Sequence, residues 1–95
     1  MDTIKLLDNL KIGMPLIITF NELPSKIRKV SLYAGTTGNG YYNFIDDSGI
    51  FKCSIGYIKE HLIISQELDQ EDDIFTLTKL IDKVKGGEIN DYSKN

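Results

Sequence analysis

Apolar and polar residues alternate through the middle of the chain, as they do in strands that bury one face of a β-sheet. The alternation begins at Leu16-Ile17-Ile18-Thr19-Phe20 and recurs on both sides of the turn Asp47-Ser48-Gly49, where glycine suits a short hairpin loop. A brief apolar run follows one predicted helical turn at Tyr57–His61. The pattern therefore predicts five short strands, at Leu16–Phe20, Lys26–Ala34, Tyr41–Asp46, Ile50–Ile55 and Leu62–Ile64.

Two stretches with helical spacing flank the predicted strands. Near the start of the chain, Ile4, Leu7 and Leu10 recur every third residue, which predicts a short helix. Because so short a helix is marginal in isolation, we expect it to pack against one end of the sheet. A second helix is predicted over Asp72–Lys85, ending at Gly86-Gly87. Its apolar stripe comprises Ile74, Leu77, Leu80, Ile81 and Val84.

The two-residue period also predicts which side chains share a face of the sheet. The core side is predicted to carry Leu16, Ile18, Phe20, Val30, Leu32 and Ala34. The outer side is predicted to carry Lys29 and Ser31, and with them an apolar set of Ile17, Tyr33, Tyr41 and Ile45. Two interpretations of this apolar set stay open: it is an exposed protein-binding site, or the two helices cover it.

Length and composition are those of one small domain. The chain has 95 residues, of which 41% are hydrophobic, and we expect residues 1–87 to form a single domain and residues 88–95 a flexible tail. No apolar run approaches the length of a membrane span and the first residues are not typical of a secretion signal, so we expect a cytoplasmic protein without a membrane partner. The single cysteine, Cys53, excludes an intramolecular disulfide, and its place in a strand predicts a buried, unreactive thiol.

Candidate catalytic and metal-binding residues are few. His61 is the only histidine, and neither a nucleophile motif nor a second histidine accompanies it. The acidic run Asp69–Asp73 lacks the alternating ligands and central glycine of a calcium loop, so we interpret it as the electrostatically favoured start of the second helix. We therefore predict no enzymatic activity, no catalytic residue, no metal site and no cofactor.

A second candidate surface is basic. Lys26, Arg28 and Lys29 lie together at the start of the second predicted strand, and Lys52 is expected nearby across the sheet. Tyrosine rings beside them would offer faces on which nucleic-acid bases stack. These four basic residues form the nucleic-acid-binding site of an alternative interpretation, against which stands the net charge of −3.

The order of helix, strand, loop, strand, glycine-rich connector, hairpin, single turn and short strand resembles the SH3-like barrel superfamily. The segment Lys11–Ile18, with Gly13 ahead of the first strand, is similar to the opening of such barrels, and Gly56–Leu62 corresponds to the turn before their last strand. The resemblance covers residues 11–65 and extends to small SH3-like proteins encoded by prophages of low-GC Gram-positive bacteria. It implies an α+β fold: a five-stranded SH3-like barrel with a short N-terminal helix and a C-terminal amphipathic helix.

The resemblance and the lack of catalytic motifs together predict a non-enzymatic protein-binding module. The module is expected to be a phage or mobile-element accessory protein that acts on a host protein, as a monomer or small homo-oligomer. Polyproline recognition is not predicted, because the chain has no tryptophan and its first loop contains one acid, Glu22.

Overall fold

The protein is an α+β domain, seen in a computed structural model that describes residues 3–22 and 25–87. Within those ranges, three helices and five strands follow one another along the chain. Their bounds are α1 Thr3–Asp8, β1 Pro15–Glu22, β2 Ser25–Thr36, β3 Tyr42–Asp46, β4 Gly49–Cys53, α2 Ile55–His61, β5 Leu62–Ser65 and α3 Asp73–Lys85. The tail predicted at residues 88–95 lies outside the described residues.

The five strands form one antiparallel sheet in the order β4-β3-β2-β1-β5. The long strand β2 lies at its centre, between β1 and β3. After β4 the chain turns through α2, whose first turn is capped by the Ser54 hydroxyl accepting from the Tyr57 N–H at 3.2 Å. It then returns to the far side of β1, where β5 pairs along it. The predicted five-stranded sheet with flanking helices is confirmed at this level.

One face of the sheet carries the larger apolar core. Phe44 lies near its centre, with ring centroids 5.9 Å from Tyr33 and 5.4 Å from Phe51. Leu7 of α1 and Ile58 of α2 pack into the same cluster and are almost fully buried. The first helix therefore packs against the sheet, as predicted, and its contact is with the core on one face. The buried members of this cluster are Leu7, Leu16, Ile18, Tyr33, Tyr42, Phe44, Cys53, Ile58, Leu62 and Ile64.

The face assignment predicted for the second strand is wrong. Ser31 pairs with Leu16 and Tyr33 pairs with Phe44, and directly paired residues of an antiparallel sheet share a face. Tyr33 therefore lies in the larger core, and Leu32 lies on the opposite face. Alternation failed here because both faces of β2 are buried along this stretch, so polarity does not distinguish them.

Helix α3 covers the opposite face of the sheet, which we call the outer face. Ile45 of β3 and Leu32 and Ala34 of β2 form a second buried cluster with Leu80 of α3. The apolar stripe predicted for this helix supplies the partly buried rim of the cluster, at Leu77, Ile81 and Val84. The molecule is thus layered, with α1 and α2 against one face of the sheet and α3 against the other.

Truncation of Ile45 tests this layering. Ile45 is 0% exposed between the sheet and α3, so Ile45→Ala should leave a cavity and lower the free energy of unfolding by about 2–4 kcal/mol. Ile63 lies on the outer face of the edge strand β5 and is 52% exposed, so Ile63→Ala should change the same quantity by less than about 0.5 kcal/mol. Urea unfolding of both variants measures the difference. Equal losses would contradict the position of α3.

Candidate binding surfaces

An ion pair joins α3 to the outer face of the sheet. The Arg28 guanidinium donates two hydrogen bonds to Asp73, from Nη1 to Oδ1 and from Nη2 to Oδ2. Both donor–acceptor distances are 2.7 Å. The Asp73 side chain is only 3% exposed, and its Oδ2 also accepts from the Gln70 N–H at 2.9 Å. Gln70 and Asp73 thereby close a turn ahead of the helix, since the Asp73 N–H donates to the Gln70 carbonyl at 3.0 Å. One carboxylate both starts α3 and attaches it to β2.

The pKa values of the pair reflect this contact. Hydrogen bonding to Arg28 lowers the pKa of the Asp73 carboxyl to about 2, with help from the Gln70 N–H and against the opposing effect of burial. The same hydrogen bond raises the pKa of Arg28, and Asp69 adds a weaker contact to Nη2 at 3.3 Å. Both groups are therefore charged at ordinary pH, and the Arg28 guanidinium is committed to holding the helix.

The structure does not present the predicted basic cluster as one free surface. Besides Arg28, Lys29 contacts Asp47 at 3.2 Å on the other face of β2, and Lys52 lies over the Tyr41 ring, 5.2 Å from its centroid. Lys26 is exposed. Because Arg28 and Lys29 have carboxylate partners, the four residues do not form a single free basic patch.

The predicted apolar protein-binding site is also not an exposed surface. Ile17 and Ile45 are buried on the outer face, and Tyr33 is buried in the larger core on the other face. Tyr41 alone is half-buried, next to Lys52. For Ile45, the interpretation that a helix covers the face agrees with the structure, because α3 packs there. Placing Tyr33 in this set was wrong, for the reason given for β2.

An apolar groove lies where the ends of β1 and β2 approach the β3–β4 hairpin. We define this apolar groove by Phe20, Ile27, Ile50 and Phe51, with polar edges at Lys29, Asp46, Ser48 and Gly49; its volume is about 420 Å³. Ile27 is 52% and Ile50 37% exposed, although both are large aliphatic residues. Phe20 and Phe51 line it as well, with their ring centroids 5.7 Å apart. Pairing with β1 places Ile27 beside Phe20. The alternation predicted for β2 puts these two residues on opposite faces, so the sequence contained no signal for this groove.

A second groove adjoins the first along α3. We call it the charged groove; it has a volume of about 470 Å³ and is lined by Lys79, Lys83 and Phe75 of α3, with Lys29, Asp47 and Asp72 among the facing residues. Lys79 Nζ lies 4.8 Å from the centroid of the Phe75 ring, which is itself largely exposed. Lys29 borders both grooves. The two grooves therefore meet at Lys29, whose ion-pair partner Asp47 lines the charged groove.

The remaining candidates have structural explanations. Cys53 is buried, as predicted, and burial raises the pKa of its thiol. The His61 ring packs 4.8 Å from the Tyr57 ring, and its Nε2 lies 3.7 Å from a Glu60 oxygen. Among residues 3–22 and 25–87, no cluster of three or more metal-binding side chains occurs. No helix in those ranges has the length and apolar character that crossing a membrane requires.

Comparison with known proteins adds no relative. No protein-family model, curated protein or solved structure matches the chain. The arguments for a function therefore come from the two grooves and from the contacts around them.

Removal of the Asp73 charge should weaken the attachment of α3. Asp73→Asn removes the buried carboxylate that accepts both short hydrogen bonds from Arg28 and leaves the guanidinium only the weaker contact with Asp69, so we expect the melting temperature to fall by at least about 4 °C. Asp72→Asn is the matched control, because Asp72 is exposed and its side chain makes no capping hydrogen bond. Thermal unfolding at pH 7, followed by circular dichroism, measures both. Equal decreases in the melting temperatures of Asp73→Asn and Asp72→Asn would show that the ion pair with Arg28 does not stabilise the fold.

The same ion pair predicts how stability depends on pH. The Asp73 carboxyl has a pKa of about 2 in the folded chain against an ordinary value of 3.8, so the unfolded chain takes up the proton first on acidification. The contribution of the Asp73 carboxylate to the free energy of unfolding is complete above about pH 5 and is lost as the pH falls from about 4 towards 2. The difference in unfolding free energy between wild type and Asp73→Asn should shrink over that interval, as measured by urea titration. A difference that stays constant down to pH 2 would contradict the assignment.

Proposed function

We propose that this protein is a non-enzymatic protein-binding module whose apolar groove receives a short segment of a partner protein. The observation that carries the proposal is the exposure of Ile27 and Ile50 in a groove that Phe20 and Phe51 also line. Large apolar side chains that remain accessible in a concave site mark a surface that gains free energy when another molecule covers it. The polar groups at its edge, Lys29 and Asp46, can orient a bound backbone.

The size of the groove favours a modest affinity. Covering two or three large apolar side chains contributes about 1.5–3 kcal/mol each before the cost of ordering the bound segment. A short peptide should therefore bind with a Kd of about 10⁻⁵ to 10⁻³ M. The full partner can add contacts beyond the groove.

We further propose that the sheet is an SH3-like barrel. Its strand order and the single helix before the last strand are those expected of that superfamily, which is used mainly for binding. The resemblance to small prophage-encoded barrels supports a narrower proposal, in which the chain is a phage or mobile-element accessory protein and the partner is a host protein. The nucleic-acid alternative has less support, because Arg28 and Lys29 are paired with carboxylates.

Peptide selection tests the binding proposal. The full chain, immobilised, is offered a displayed library of random 12-residue peptides, and enriched peptides are synthesised with a fluorescent label. Ile27→Glu should weaken their binding at least ten-fold in fluorescence anisotropy, because it places a charge in the apolar groove.

The matched control is Ile63→Glu, since Ile63 has the same 52% exposure but lies on β5, outside the groove. It should change the affinity by less than about two-fold. Failure to enrich any peptide, or an equal loss in both variants, would rule out this groove as the binding site.

A further inference from the structure

We infer that the partner segment is acidic next to its apolar anchor, with its carboxylates bound by Lys79 and Lys83 in the charged groove. The inference rests on the proposed binding function and adds the chemical class of the partner. It is carried by the meeting of the two grooves at Lys29 and by the lysines there that have no carboxylate partner.

Lys29 borders both grooves, so the two grooves meet at this residue. Its ion-pair partner Asp47, 3.2 Å away, lines the charged groove. A segment with an apolar side chain between Ile27 and Ile50 therefore continues past this pair onto the exposed side of α3.

Only some of the basic side chains that line the charged groove have a carboxylate partner. Arg28 is held by Asp73 and Lys29 by Asp47. Lys79 and Lys83 have no carboxylate within 4.0 Å in the part of the chain that the structure describes, and they face a single acid there without an ion pair, Asp72. Because the whole chain carries a net charge of −3, an acidic segment is disfavoured over most of the surface and favoured at these two lysines.

The helix also sets the spacing of the acidic groups. Phe75, Lys79 and Lys83 follow one another at four-residue intervals, so they form a ridge along one side of α3. Successive positions on that ridge are about 6 Å apart along the helix. Alternate side chains of an extended peptide are separated by about 6.6 Å. We therefore expect acids at alternate positions of the bound segment, with its apolar anchor on the side of Lys29.

Lysines also attract phosphate groups, so nucleic acid is the competing occupant. The apolar groove favours a protein segment, because it offers two aliphatic side chains and the carboxylate of Asp46, and its cation, Lys29, is paired with Asp47. Asp72 likewise opposes a polyphosphate in the charged groove.

The experiment repeats the selection of random 12-residue peptides on three full-length proteins. These are the wild type, Lys79→Glu/Lys83→Glu and the control Lys59→Glu/Lys85→Glu, whose exposed lysines lie outside both grooves and which carries the same change in charge. Peptides from the wild type and the control should be enriched at least three-fold in Asp and Glu near the apolar anchor. Those from Lys79→Glu/Lys83→Glu should keep the anchor, lose that enrichment and gain Lys or Arg.

The outcomes separate the two proposals. If all three proteins select peptides that have the apolar anchor and the same content of Asp and Glu, the inference of an acidic partner is wrong, and the proposed binding function still holds. Absence of anchored peptides from every protein would overturn both. Binding of a labelled 20-nucleotide DNA that is lost in Lys79→Glu/Lys83→Glu but not in Ile27→Glu would assign the lysines to nucleic acid and overturn the inference.

Thermal unfolding first establishes that each variant is folded. If Lys79→Glu/Lys83→Glu is not, Lys79→Gln/Lys83→Gln takes its place, because it removes both charges without reversing them. This variant should lose the acid enrichment without gaining Lys or Arg. Unchanged enrichment in it would equally overturn the inference.

Discussion

The contact between Arg28 and Asp73 is the constraint on which the outer layer of this protein depends. A chain of 95 residues buries little apolar surface, and the cluster beneath α3 is the smaller of its two. A bidentate ion pair adds direction to that weak apolar packing, because it fixes where α3 begins and which strand it meets. With the helix held there, the outer face over β2 and β3 becomes core instead of surface.

The same constraint determines where a binding surface can form. Helices α1 and α2 pack against one face of the sheet and α3 covers the other, so both faces are partly closed. The strand ends near Ile27 and Ile50 receive no such cover, and the apolar groove lies there. Because α3 begins close to Arg28, its lysines border the same region. The attachment of the helix thus creates the charged groove beside the apolar one.

Local periodicity was sufficient to predict five strands and both terminal helices, because each has a regular pattern bounded by glycine or polar residues. It extended the fourth strand too far, since Ile55 is the first residue of α2. It was not sufficient for the faces of β2, where buried residues from Ser31 to Ala34 follow one another without contrast. Pairing with β1 and β3 decides that orientation, and pairing is a long-range property. The role of Arg28 was missed for a similar reason: its partner lies 45 residues further along the chain.

Solvent accessibility of isoleucine methyl groups in the full chain shows directly whether the apolar groove is open and whether the outer face is closed at Ile17 and Ile45. A soluble paramagnetic agent enhances the relaxation of accessible methyl protons in NMR spectra. We expect strong enhancement at Ile27 and Ile50 and weak enhancement at Ile17 and Ile45, in keeping with their burial. Strong enhancement at Ile17 and Ile45, with Ile27 and Ile50 protected, would contradict this expectation and return the binding site to the outer face of the sheet.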